Sequence, residues 1–410
     1  MALIRPFRAL RPRKELAARV AALPYDVYSR EEARRETARE PLSFLNIDRA
    51  ETQFPPEVDT YAPQVYEKAR ELLRSQEEQG IYRQDSEEHF YLYELTMEGR
   101  TQTGICACAS VEDYWQGIVV KHENTRADKE LDRVNHVDSC NAQTGPVFLA
   151  HRPNEELARL REQGRQREPL YDFTPSDGIR HRVWSLPPEE NVKITQLFQK
   201  MGKLYIADGH HRAAAAAKVC QNRRDQAGAY TGEEEWNYFL AVIFDEQELN
   251  ILDYNRAVKD LNGRTPQAFL EELGRLAAVT PCGGQEARPR RKGELGLCLQ
   301  GQWYRLCLKN QEGEDPVKRL DVSLLQDQIL EPLLGITDPR RDPRIDFIGG
   351  IRGMEELERR VATDCQAAFW MYPTTMEELL AVADAGLLMP PKSTWFEPKL
   401  RSGLLIHKLQ

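Results

Sequence analysis

The 410-residue chain has little cysteine: eight residues, scattered, with one C-x-C pair at Cys106 and Cys108 and no C-x-x-C pair. That pattern excludes a secreted disulfide scaffold and the usual zinc-ribbon spacings. It points to reduced, mostly buried thiols in a reducing compartment. Long apolar runs are missing too. The longest, Tyr238–Phe244 (YFLAVIF), has the length of a buried strand and is far short of a membrane span. The opening segment MALIRPFRALRP lacks the apolar region of a secretory signal. A cytoplasmic protein without a membrane partner is therefore expected. Positive charge is not in excess either. The net charge of −9 disfavours a dedicated nucleic-acid partner, although it leaves room for a local phosphate site. No internal repeat is visible.

What is present is an interleaving of helical and strand-like segments. Ser29–Arg39 predicts a helix with Ser29 as cap and Glu32 completing a capping box. Tyr61–Gln79 predicts an amphipathic helix ended by Gly80. His89–Thr96 and Thr103–Ser110 read as paired strands around a turn at Gly99, and Leu295–Leu299 with Trp303–Leu308 as a second hairpin. Further helices are expected over Asp128–Asn141, Asn154–Gln166, Asn191–Lys200, Val322–Leu334 and Thr375–Ala385. The fold class is α/β, with α+β as the alternative. Polar, Gly- and Pro-containing sequence at Asn262–Pro266 and again at Cys282–Gly293 marks a change of domain. The expected division is 1–260 and 261–410, the second with a tail that docks back on the site of the first. A homodimer is left open.

The densest chemistry lies in Leu204–Cys220, LYIADGHHRAAAAAKVC. Leu204–Ala207 is strand-like, Asp208-Gly209 is a turn pair, and the alanines from Ala213 favour a helix. Asp208–Arg212 therefore sits where a strand hands over to a helix N-terminus, a place that attracts anions and above all phosphate. Arg212 can clamp phosphate oxygens, and Asp208 can accept a proton or hold a magnesium ion. The same residues also suit a plain helix cap on a closely packed helix, and both readings stand at this point.

The strand followed by D-G-H-H-R-x-x-A resembles the signature of the ParB/sulfiredoxin-like fold, and more closely the free-serine-kinase branch of SerK and SbnI type. Over its whole length the chain is similar to a bacterial family defined by a domain of unknown function, some members of which carry a helix-turn-helix label. The shared motifs are PYDV (24–27), KHENT (121–125), DKELDR (128–133), NAQTGPVFL (141–149), LYDF (170–173), IADGHHR (206–212), RIDFIGG (344–350) and PPKSTWFEPKLRSGL (390–404). The kinase resemblance implies a ParB/sulfiredoxin-like core with large helical insertions and a C-terminal α/β region. It also implies phosphorylation of a small molecule, free L-serine to O-phosphoserine, with Mg2+ and ATP or ADP. Asp208, Glu123 and His211 are then the catalytic candidates, with Glu123 as the base that activates the serine hydroxyl. Gly209, His210, Arg212, Lys392, Ser393 and Thr394 are candidates for nucleotide or phosphate, and His122, Thr125, Asn141 and Thr144 for substrate.

Two other readings follow from the same resemblance. A ParB-like nucleotide-binding regulator would bind DNA, against which the acidic balance counts. A sulfiredoxin-like enzyme would need a reactive cysteine beside the motif, and Cys220 lies two helical turns away. The helix 128–141 places Asp128 over Asp132 and Lys129 over Arg133, repulsive pairs that an idle surface helix would not favour.

Overall fold

Alternating apolar residues in Tyr91–Met97 and Arg100–Ser110 form an antiparallel hairpin. Its two turn residues, Glu98 and Gly99, both have positive φ (51° and 80°), the geometry that lets strands of native twist reverse in two residues. This hairpin lies in a nine-stranded sheet of the computed structural model, which describes residues 1–308, 313 and 315–410. The chain divides into two units. The first comprises Met1–Lys121, Thr125–Leu249 and Pro398–Gln410, and the second His122–Asn124 and Asn250–Glu397. Both mix helices with sheets, so the chain is of the α/β class.

In the first unit the strand order runs Val119–Val120, Leu204–Asp208, Val147–His151, Tyr238–Asp245, Arg100–Ser110, Tyr91–Met97, Arg180–Ser185, Tyr171–Phe173, with Ile4–Arg5 pairing to Arg100–Ser110. Leu204–Asp208 runs parallel to Val119–Val120 and antiparallel to Val147–His151. Its apolar residues Leu204 and Ile206 join Leu149, Phe198 and Phe239 in the main core. The helix His210–Ala227 buries the five consecutive alanines Ala213–Ala217. Ala213, Ala216 and Ala217 face the main core, while Ala215 and Val219 meet Val134 and Val137 of the helix Ala127–Cys140. Side chains this small let one helix approach both layers closely.

The second unit holds a six-stranded antiparallel sheet in the order Ala277–Cys282, Gln302–Leu308, Glu294–Leu299, Ala367–Trp370, Tyr254–Val258, Ile345–Gly349. The composition change at Asn262–Pro266 lies within this unit. The expected helix Val322–Leu334 is not continuous. Asp321–Leu325 is α-helical, and Gln326–Leu330 then widens into a π-helix before a turn at Gly335. Pro332 explains this: it has no N–H to donate and its ring crowds the preceding turn. The Glu331 N–H reaches back five residues to the Gln326 carbonyl at 3.0 Å.

Candidate functional site

The strand Leu204–Asp208 slips register against Val147–His151 between Ile206 and Asp208. Such a bulge re-aims the side chain that follows it. Asp208 ends the strand, and Gly209, with φ at 92°, makes the turn into the helix. A residue with a Cβ would be strained there and would push the Arg212 guanidinium aside. The backbone is left-handed, and a Cβ would stand 2.9 Å from Arg212 Nε. Gly209, not Asp208, occupies the N-cap position, and no side chain caps the helix. The plain-cap reading of Asp208 is therefore not what the geometry shows.

Asp208 instead gathers charge. Its Oδ2 accepts from Lys399 Nζ at 2.8 Å, and its Oδ1 accepts from the Gly209 N–H at 2.7 Å. Burial would push this carboxyl up. The Lys399 and Arg212 charges, with both hydrogen bonds, outweigh that and hold it well below the usual carboxylate range. Arg212 donates through Nη1 to the Pro146 carbonyl and lies over Gly209. His210 is buried. His211 is half-buried, and its Nε2 accepts from the Arg126 backbone N–H at 3.0 Å, so the neutral ring carries its proton on Nδ1. Two cations and one carboxylate thus meet at a helix N-terminus, where the dipole adds to the positive potential.

Below Arg212 lies a cavity of about 30 Å³, walled in part by Asp48, Arg133, His136, Thr144 and Ser402. It has room for a water or two, not for a nucleotide. Thr144 donates to Asp48 Oδ1 at 3.0 Å and accepts at its carbonyl from the Gly403 N–H at 3.1 Å. Arg133 is buried, pairs with Asp132 at 2.9 Å and stacks 4.0 Å over the Tyr25 ring. Burial and the Arg133 charge push His136 down, so its ring is neutral, and its Nε2 reaches the Ile47 carbonyl at 3.1 Å. The like-charge pairs expected on this helix find outside partners. Asp128 pairs with Arg126, Asp132 accepts from Tyr66 Oη at 3.0 Å, and Lys129 donates to Tyr61 Oη at 2.8 Å.

The remaining candidates make contacts of their own. Thr125 donates to Glu130 at 2.8 Å. Asn141 closes its helix at φ 50°, its carbonyl accepting from the Leu409 N–H at 3.0 Å. His122 and Glu123 belong to the second unit, where the His122 carbonyl accepts from the Met389 N–H at 2.8 Å. Lys392, Ser393 and Thr394 also belong to it. Lys392 rests 5.8 Å over the Tyr254 ring, and Ser393 Oγ donates to the Pro390 carbonyl at 2.7 Å. The residue that sequence reasoning left without a role is Lys399. Its only signal was a cation in an aromatic, Pro-rich tail, 191 positions from its partner. Asp48 carried no signal at all.

A magnesium ion held directly by Asp208 does not fit this arrangement. Lys399 Nζ holds one carboxylate oxygen at 2.8 Å, and the positive charges of Lys399 and Arg212 repel a further cation there.

A family model described as Protein of unknown function (DUF1015) matches residues 4–323. No curated protein matches the chain. Similar solved structures include SbnI with C-terminal truncation from Staphylococcus aureus, at 11% identity over 72% of this chain and 85% of that one, TM-score 0.38. Another is free serine kinase in complex with AMP, at 13% identity over 71% and 90%, TM-score 0.34. A conserved hypothetical protein from Pyrococcus furiosus shows 14% identity over 72% and 91%, TM-score 0.32. TM-scores of this size establish no shared fold.

Proposed function

Because the chain belongs to the protein family of unknown function DUF1015, we propose its activity from its site: it is a phosphotransferase acting on a small molecule, with a nucleotide as donor and free L-serine as acceptor. The observation that carries the reading is the Asp208 cluster, in which Lys399 and Arg212 leave a net positive charge at the start of a helix. Phosphoryl transfer asks a protein mainly for positioning and for cations against the spreading phosphoryl charge. The choice of nucleotide and serine rests on the resemblance of D-G-H-H-R-x-x-A to the free-serine-kinase branch.

In this reading the serine Oγ attacks the terminal phosphorus of the nucleotide. The new O–P bond forms as the bond to the bridging oxygen breaks, and the nucleotide leaves one phosphate shorter. The hydroxyl proton passes to a carboxylate. Asp208 is held too firmly ionised to be an effective base, since a base works best with a pKa near the operating pH. Its role is to orient Lys399 towards a phosphate. Arg212 supplies a second cation, and His211 steadies the segment through Arg126. Magnesium enters with the nucleotide as the counter-ion of its phosphates.

The test is to incubate the full chain with magnesium, ADP or ATP and each amino acid in turn, and to follow products by phosphorus NMR and mass spectrometry. O-phosphoserine formed in proportion to enzyme is expected. No phosphorylated product from any amino acid, with either nucleotide, would remove the reading.

A further inference from the structure

Four arginines are buried among the described residues: Arg133, Arg161, Arg256 and Arg401. Three have carboxylate partners. Arg133 pairs with Asp132, Arg161 with Glu248 and Asp245, and Arg401 with Asp177. Arg256, in the strand Tyr254–Val258 of the second unit, has no carboxylate within ion-pair distance among the described residues. It is 3% exposed. Its guanidinium donates to the Tyr254 carbonyl and, at 3.0 Å, to the Lys392 carbonyl, and lies 5.2 Å over the Phe347 ring. Burial pushes it down to about 10, so it stays charged at neutral pH. An unpaired buried charge is costly, and carbonyl oxygens offset it only in part.

Arg256 and Phe347 stand in the wall of a cavity of about 430 Å³. That is the size of a small-molecule site. Much of the rest is apolar, including Val322, Leu330, Leu388 and Met389. Two nearby charges, Asp338 and Arg340, satisfy each other at 3.0 Å. A second polar group is left over. Gln326, at the start of the π-helical turn, donates through Nε2 to the Ile336 carbonyl at 2.7 Å, while its buried Oε1 has no hydrogen-bond partner among the described residues. π-Turns recur where a helix has been adapted to a site.

We infer that this cavity binds an organic anion with an apolar body: its carboxylate or phosphate pairs with Arg256, and an N–H or O–H of the ligand satisfies Gln326. The site lies within the second unit and is independent of the phosphotransfer reading. Carboxylate and phosphate share the chemistry that Arg256 recognises, and a competition assay separates them.

The probe is 8-anilinonaphthalene-1-sulfonate, an apolar anion whose fluorescence rises on burial, titrated into the full folded chain. N-phenyl-1-naphthylamine serves as the uncharged control. Saturable binding of the anion is expected, with displacement by decanoate if the natural head group is a carboxylate or by a nucleoside monophosphate if it is a phosphate. Arg256→Met should weaken the anion about tenfold or more and leave the neutral control unchanged, as loss of a charge-assisted contact requires. Leu388→Trp, which fills the half-exposed rim and keeps Arg256, should weaken both probes, and it serves where Arg256→Met fails to fold. Equal binding of charged and neutral probes by the wild-type chain would overturn the inference. So would a Leu388→Trp protein that binds the anion unchanged, or an anion that neither competitor displaces.

Discussion

At the scale of single residues, the reading turns on what charge does at Asp208. Asp208→Asn keeps the shape and removes the charge that holds Lys399 in place. The variant should fold, with stability changed by no more than about 1–3 kcal/mol for a partly exposed pair, as circular dichroism on thermal unfolding will show. Phosphoryl transfer should fall by roughly 10²-fold or more, because misplacing one phosphate-facing cation removes transition-state stabilisation. Full activity in the variant would leave Asp208 a structural residue. A second residue-scale test concerns His181, fully buried between Tyr93 and Arg401. Burial, then the Arg401 charge, pushes its pKa down to about 3. A depressed pKa means that the stabilisation is present above the unfolded value of about 6.5 and is lost as pH falls towards 3. Urea unfolding between pH 7 and pH 4 should show this loss, on the order of a few kcal/mol. His181→Gln, which cannot protonate, should flatten that slope even if it lowers stability overall.

At the scale of elements, local chemistry was legible where the sequence decides it locally. Ser29 with Glu32 and Thr375 with Glu378 both form capping boxes. Asn154 caps its helix, and Gly80 closes the helix Pro63–Glu78. The strand Leu204–Asp208 and the turn at Gly209 were equally readable. What could not be read depends on distant partners. The two-residue strands Val119–Val120, Ala142–Gln143 and His407–Lys408 exist only through their pairing. The bulge before Asp208 comes from packing against Val147–His151, not from any residue in the strand. The helix expected over Val322–Leu334 missed the consequence of Pro332. Its first turn carries a further test. Asp321 is buried and accepts from the Gly293 N–H at 3.0 Å, and burial raises its pKa to about 6. A raised pKa means that stability is greatest below about 4 and is lost as pH rises through 6. Asp321→Asn can still accept from Gly293 and carries no charge to desolvate. It should stabilise the protein at pH 7 by roughly 1–3 kcal/mol and remove the slope between pH 4 and pH 6. Denaturant midpoints at the two pH values measure both.

At the scale of the whole molecule, the chain's last residues are part of the first unit's framework. Residues 398–410 supply Lys399 to Asp208, bury Arg401 against Asp177, and accept from Tyr82 Oη at the Gly403 carbonyl at 2.9 Å. Ile406 packs in the same core as Leu10, Phe44 and Tyr82. The aromatic and cationic makeup of the tail hinted at docking, but the identity of each partner was invisible without the fold. Truncation after Glu397 should therefore lower the melting temperature by many degrees or abolish soluble expression, since it strips several buried apolar side chains at about 1.5–3 kcal/mol each. A truncated chain that melts like the full one would show that the tail is dispensable. The central claim is tested most directly by following transfer of the labelled terminal phosphate of ADP or ATP to free L-serine by the full chain with magnesium. The account predicts labelled O-phosphoserine from the wild-type protein and at least a hundredfold less from folded Asp208→Asn. Equal label in the two proteins, or none in either with any acceptor, would contradict it.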